Sequence, residues 1–291
     1  MKRKTGRRRS KRHRVAAFLS LAVLATVLWT LWGNTALTRS DVSVSSQRLP
    51  HEFDGFVIAQ ISDLHDAVLG EENGDVVKTV LAAKPDLIVL TGDMVDARRG
   101  DIARSVSLIA KLVQIAPTYY VNGNHEAALT WNEYHSFTKA MKEAGARVLE
   151  DECVYLSRGN ASIRLIGLND LGFIKGSVSE KIGTLETSLG NLMQWDDCFT
   201  LVLAHRPELI ESYAACGADV VFCGHAHGGQ VRLPLLGGVY SPGQGFFPKY
   251  DAGLFISGAT QMVVSRGIGN SNFPLRFNNR PEVVIVTLKT R

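Results

Sequence analysis

Five short apolar runs in this chain each lead into residues of the kind that bind metal ions. The runs are 56–61, 87–90, 118–121, 200–204 and 220–223, four to six residues each and rich in Val, Ile, Leu, Phe and Tyr. That length and composition predict buried strands. Asp63 and His65 follow the first run, Asp93 the second, Asn124 and His125 the third, His205 the fourth, and His225 and His227 the fifth. Helical spacing of apolar residues over 75–83, 102–115, 131–144, 181–192 and 208–214 alternates with these runs, with Gly145 as a C-cap. Helices alternating with strands predict an α/β layered domain. Further strands expected over 147–149, 154–157, 163–168, 230–233, 254–257, 261–265 and 283–288 are too many for one sheet and predict two. In an open α/β domain, ligands bind beyond the carboxyl ends of the strands, which is where the singled-out residues fall.

Carboxylate, imidazole and amide oxygen together suit hard to borderline divalent cations such as Mn²⁺, Fe²⁺ or Zn²⁺. Asp63, His65, Asp93, Asn124, His205, His225 and His227 exceed what one tetrahedral site can use. They fit two cations sharing a bridging carboxylate, and a metal pair about 3.5–4 Å apart is a common device for in-line displacement at phosphorus. Taken singly, each residue has a plain structural explanation: a strand-end cap, a turn, a loop that needs positive φ, or a helix entry. The set does not, because all of its members fall at strand ends. His51 and His135 follow no strand and are assigned to the surface. Cys153, Cys198, Cys216 and Cys223 show no Cys-x-x-Cys spacing and read as buried thiols. Cys223, although beside the histidine pair, is read as a core thiol.

The N-terminus has a different character. Residues 1–14 carry nine Lys or Arg and no acid, whereas 15–38 hold no charge at all. A helix needs roughly 20 apolar residues to span hydrocarbon, and Trp29 and Trp32 suit the aromatic belt at its edge. The apolar run is long for a signal peptide, so 15–38 reads as an uncleaved signal anchor behind a basic cytoplasmic tail. The positive flank places the N-terminus in the cytoplasm and the body outside it, making the chain a single-pass protein of the cell membrane. Residues 39–50 read as a polar linker and 51–291 as the domain. Without the tail, 23 basic residues face 28 acidic ones. The tail lies across the span from the site, and no nucleic-acid partner is expected.

The ordered motifs DLH, GD, GNHE, AH and GHAHGGQ resemble the calcineurin-like metallophosphoesterase superfamily. The later segments GGQVRLP, SPGQGFFPKY and SRGIGNSNFPLRFNNRPEVVIVTL resemble its membrane-anchored branch of YkuE- and YaeI-type phosphodiesterases. The resemblance implies a four-layer αββα sandwich, here preceded by one N-terminal transmembrane helix. It also implies a dinuclear centre with Asp63, His65 and His227 on one metal, Asn124, His205 and His225 on the other, and Asp93 bridging. His125 would then stand beside the substrate as a general acid, while a bridging hydroxide attacks phosphorus. Ala226 stands where the branch more often has Thr, at a position that is not a ligand.

The substrate implied is a phosphate ester, a phosphodiester or pyrophosphate that is membrane-associated or lipid-linked. UDP-2,3-diacylglucosamine pyrophosphatase activity is the alternative, although that chemistry belongs on the cytoplasmic face. A phosphoprotein phosphatase is a weaker alternative, because Ala97 rather than Arg follows Asp96 in GDMVDARRG. A non-catalytic tethered module would be expected to have lost ligand positions, and all are filled. The stretch 231–250 is apolar and rich in Gly and Pro. It reads either as a lip that meets lipid or as a rigid loop packed on the core.

Overall fold

The computed structural model describes residues 3–98, 101–194, 197–270 and 273–291. Two six-stranded sheets form the middle of the domain. The first contains β1 (Thr38–Ser46), β2 (Val57–Ile61), β3 (Leu87–Thr91), β4 (Thr118–Val121), β5 (Arg147–Val148) and β16 (Glu282–Thr290), in the order β1-β16-β2-β3-β4-β5. Strands β2 to β5 run parallel, and β16 is antiparallel to β2. The second contains β6 (Glu152–Arg158), β7 (Ala161–Gly167), β8 (Thr200–Leu203), β9 (Val220–Cys223), β14 (Gly253–Ser257) and β15 (Thr260–Val264), in the order β14-β15-β9-β8-β7-β6. Its four inner strands are parallel, and an antiparallel strand closes each edge.

Parallel strands need crossovers, and helices supply them. Helices α2 (Gly74–Ala83), α3 (Ile102–Leu112) and α5 (Trp131–Glu143) link β2 to β5, with the single turn α4 (Asn124–Ala127) after β4. Helices α6 (Val178–Met193) and α7 (Ile210–Ala215) cover the second sheet. Strand side chains alternate between faces, and this divides the apolar residues among three interfaces. On β3, Ile88 and Leu90 pack under α3 and α5, while Leu87 and Val89 face the second sheet. On β9, Val220 and Phe222 face the first sheet, while Val221 and Cys223 pack under α6 and α7. Helix α3 buries Ser105, Leu108, Ile109 and Leu112, one stripe at helical spacing. The layers are therefore helix, sheet, sheet, helix, as expected. The inner strands β3, β8, β9 and β15 have no polar face because both faces are covered, which is why they read as continuous apolar runs.

One expectation is corrected. Residues 39–50 are not an irregular linker: most of the segment belongs to β1, which pairs in parallel with β16 from Thr38–Glu282 to Ser46–Thr290. The strand lies at an edge and is solvated on one face. Val42 and Val44 point into the core between the sheets, while Arg39 and Asp41 form an exposed ion pair. This alternation is what an edge strand with one wet face requires, and its polar half conceals it. Residues 230–250 are also more ordered than a loop. They form two small hairpins, β10 (Arg232–Leu233) with β11 (Gly237–Gly238), and β12 (Tyr240–Ser241) with β13 (Gly245–Phe246).

Helix α1 runs from Arg3 to Thr35, and its stretch His13–Thr35 is long and apolar enough to cross a membrane. It is attached to the domain at its end. Asn34 Nδ2 donates to the Arg276 carbonyl at 2.8 Å, and its Oδ1 accepts from the Arg276 N–H at 2.8 Å. Arg280 donates to the carbonyls of Ala36 and Leu37 at 2.8 and 2.6 Å and lies over the Trp32 ring.

Candidate metal centre

The carboxyl ends of β2, β3 and β4 meet those of β8 and β9 at one edge of the sandwich. Each connecting loop turns sharply as it leaves its strand. Asp63, His65, Asp93, His225 and His227 all have positive φ, between 45° and 65°. L-residues rarely adopt this conformation, and it costs on the order of 1 kcal/mol or more at each position. The cost is met by hydrogen bonds that cross between loops. His225 N–H donates to both carboxylate oxygens of Asp63, Asp63 N–H to the Gly92 carbonyl, and His65 N–H to the Asp93 carbonyl. Gly224 permits the closest approach, since a side chain there would overlap Ser62 and Asp63.

Two groups of donor atoms result. Those of Asp63, His65, Asp93 and His227 lie within 4.8 Å of one another, and those of Asp93, His205 and His225 do likewise. Asp93 belongs to both, its Oδ2 being 3.6 Å from His65 Nε2 and 3.3 Å from His205 Nε2. His227 Nε2 lies 3.2 Å from His65 Nε2 and 3.5 Å from Asp63 Oδ1. In the other group, His225 Nδ1 is 3.2 Å from His205 Nε2, and Asn124 Oδ1 is 3.1 Å from the same nitrogen. The structure therefore brings all seven expected ligand residues together and sends the two histidines of GHAHGG to different groups.

The donor set fits divalent cations. Ring nitrogens face one another at hydrogen-bonding distance, His65 Nε2 against His227 Nε2 and His225 Nδ1 against His205 Nε2, with the Asp63 and Asp93 carboxylates beside them. Lone pairs of imidazole and carboxylate converging on a shared point are what a cation satisfies.

Burial pushes the His65 imidazole down to about 3, and burial next to other positive groups puts His225 and His227 well below their usual value. All three are neutral at neutral pH, as ligands must be. Burial would also lower His205, but the Asp93 carboxylate, its hydrogen bond and Asp63 outweigh it and hold the ring at about 10. Burial raises Asp63 to about 6. Asp93 lies well below its usual value, because His205 and His65 outweigh its desolvation.

His125 sits at the rim. Its backbone N–H donates to Asp93 Oδ1 at 2.8 Å, and its ring meets the His65 ring edge-on. The Ala97 N–H donates to His125 Nδ1 at 3.2 Å. With Nδ1 accepting that bond, Nε2 is the ring's donor nitrogen. His125 also forms a third cluster with His65 and Asp96. His51 and His135 are exposed and distant, and Cys223 belongs to the core under α6 and α7.

Several residues of the site carried no signal of their role in the sequence. Glu126 is buried, and its carboxylate accepts from the N–H groups of Asp93, Met94, Val95 and Gly123 at 2.7 to 3.2 Å. It ties the β3 loop to the β4 loop. Burial and the Asp93 charge raise its carboxyl to about 7. Asn279 Nδ2 donates to the His227 carbonyl at 2.7 Å from 52 positions away. Glu208 Oε1 is 4.0 Å from His225 Nε2, and the neighbouring Arg206 pairs with Asp170 at 2.6 Å. The GNHE motif could have pointed to Glu126. Nothing local marks Asn279 or Glu208.

Residues 56–229 match the family model of the calcineurin-like phosphoesterases. An uncharacterized metallophosphoesterase of Bacillus subtilis, YkuE, is 31% identical over 255 residues, covering 85% of this chain and 84% of its own. The phosphodiesterase YaeI of Escherichia coli is 32% identical over 237 residues, covering 80% of this chain and 82% of its own. Among solved structures, TT1561 of Thermus thermophilus superposes with a TM-score of 0.52 at 15% identity, over 74% of this chain and 90% of that one. At that identity the likeness concerns the fold alone.

Proposed function

The chain belongs to the calcineurin-like phosphoesterases, and from that premise we propose that it hydrolyses a phosphodiester or pyrophosphate bond in a membrane-associated substrate. Hydrolysis of a phosphoric ester with divalent metal ions is the family's chemistry, and this chain carries the cluster for it. The observation that carries the finer reading is the Asp93 carboxylate shared by two converging donor groups. On this reading Asp63, His65 and His227 hold one cation, Asn124, His205 and His225 the other, and Asp93 bridges them. Divalent cations held there would lower the pKa of a coordinated water and draw charge from phosphoryl oxygens. The residues of the chain do the rest. The crossed hydrogen bonds hold the ligands in strained loops before substrate arrives, and the neutral imidazoles keep their lone pairs available. His125, with its proton on Nε2, protonates the leaving oxygen. The anchor supports a membrane-associated substrate, since α1 would keep the site near a bilayer with the domain on the extracytoplasmic side.

The test is a substrate panel on the Mn²⁺-loaded full-length protein. It contains an aryl phosphodiester, an aryl monoester, a UDP-sugar lipid and a phosphopeptide. Preference for the diester or the pyrophosphate supports the proposal. Cleavage of the phosphopeptide alone would replace it with a phosphoprotein phosphatase, and no hydrolysis with any divalent cation would end the enzyme reading.

Two further results are expected. With its pKa at about 10, His205 is protonated in the metal-free protein through the neutral range, so binding a cation there expels a proton. Affinity for Mn²⁺ should therefore rise about tenfold per pH unit between roughly pH 6.5 and 9. It should rise more steeply below about 6, where Asp63 is protonated as well. Calorimetric titrations across that range give the slope, and a flat profile would show that His205 is not a ligand. Glu126→Gln replaces one of two carboxylate oxygens, each accepting from two backbone N–H groups, by an NH2 that cannot accept. Metal affinity should fall about 10–100-fold, as when the hydrogen-bond partner of a ligand is lost. Unchanged affinity and melting temperature would show that Glu126 does not hold the loop.

A further inference from the structure

The end of α1 and a group of uncovered apolar side chains lie on one continuous hydrogen-bonded patch. Leu235 is fully exposed, Leu236, Phe246 and Phe247 are 60–75% exposed, and Phe273 and Leu275 are about half exposed. The first four lie on the two hairpins that follow the loop of His227, and the last two just precede Arg276. The connections are direct. Arg232 N–H donates to the Phe277 carbonyl at 3.0 Å, and Gln230 Nε2 donates to the carbonyls of Phe273 and Leu275 at 2.8 and 3.0 Å. Arg276, between these residues, is held by Asn34 of α1. On the inner side, Arg232 Nη1 reaches the Gly228 carbonyl at 2.9 Å, and Asn279 holds the His227 carbonyl.

Dimensions fix where this patch would sit. Asn34 is two residues beyond Trp32, about 3 Å along the helix axis. Only residues 36 and 37 separate α1 from β1, a reach of about 7 Å, and Arg280 ties both carbonyls down. If α1 crosses a bilayer, the domain cannot stand away from it. Aromatic side chains at the end of the span mark the headgroup level, and Arg280 on the Trp32 ring brings the 273–280 segment to that level. Six large apolar side chains exposed on segments joined in this way are more than the single scattered exposures of a soluble surface. Their aromatic and leucine content, beside cationic Arg280, is that of segments lying in a lipid interface.

We propose that hairpins β10–β11 and β12–β13, with the 273–277 segment, form a collar embedded in the headgroup layer of the bilayer that α1 crosses. The collar holds the loop of His227 at the membrane surface, so the phosphoester cleaved is that of a lipid resident in the bilayer. The lipid substrate rests on the function proposed above, but the collar does not.

The test uses the full-length protein in phosphatidylcholine vesicles containing a lipid with a diazirine near the carbonyl end of its acyl chain. After photolysis, trypsin releases 15–39, which carries the span, and 233–249, which carries both hairpin tips. Lipid adducts are expected on both peptides. They should be absent from peptides bearing Val178 and Trp131, which are 70% and 73% exposed elsewhere on the domain. Adducts on 15–39 alone, or crosslinks joining 233–249 to a second copy, would overturn the collar. A second measurement compares Leu235→Ser with Phe246→Ser. Each should lose at least tenfold on a phosphodiester presented in vesicles and keep its rate on a soluble aryl phosphodiester. Equal loss on both substrates would count against the collar. Adducts on 233–249 without hydrolysis of any substrate would leave the collar standing and remove the proposed function.

Discussion

Asp93→Asn is expected to leave less than one metal ion per chain, against the two expected for the native protein on the proposed reading, and to lower turnover by at least about a thousandfold. The carboxylate belongs to both donor groups, so on the proposed reading its loss takes a ligand from each site at once. It also removes the charge that offsets a protonated His205 in the metal-free protein. A thousandfold corresponds to about 4 kcal/mol, within what metal-ion catalysis at phosphorus supplies. The comparison with the histidine pair makes the test specific. His225→Ala and His227→Ala should each reduce the metal content by one ion, because the two rings point into different groups. Metal analysis by mass spectrometry after dialysis gives the counts. A full complement of metal in Asp93→Asn would exclude the bridge, and identical metal loss in all three variants would mean one cooperative site.

His125→Ala should retain both metals and lose about 10²–10⁴ in kcat, the usual contribution of a positioned general acid. Its ring is held by the Ala97 N–H at Nδ1, which leaves Nε2–H to meet a leaving oxygen. The size of the loss should depend on the leaving group. A nitrophenolate needs no proton to depart, so an aryl diester should suffer much less than an alkyl diester. An equal loss on aryl and alkyl substrates would assign the His125 ring to substrate binding, since its hydrogen bond to Asp93 comes from the backbone N–H, which the substitution keeps. Loss of metal would make it structural.

Both variants concern residues that were legible before any coordinates. The strand-end positions of Asp63, Asp93 and His205 followed from apolar runs that stop abruptly, because a buried parallel strand has no polar face to interrupt it. The same logic failed for β1. There half the residues face water, and the pairing partner β16 lies some 240 positions away, so local composition pointed to a linker. Glu126 was visible as part of a motif, but not as a carboxylate shared by four N–H groups. Its role arises only where the β3 and β4 loops touch.

The sequence by itself determined the class of fold, the donor types, and a long uncharged helix ahead of the domain. These are properties of periodicity and side-chain chemistry, which act over a few residues. Tertiary structure alone decided that His225 and His227 belong to different donor groups, since the partners of each ring come from loops of other strands. It also decided that Asn279 steadies the loop of His227, and that α1 is bound at Asn34 to the segment beside the apolar hairpins. Those contacts join positions from 52 to more than 240 residues apart, and only the stacking of the two sheets and the return of the C-terminal strand bring them together.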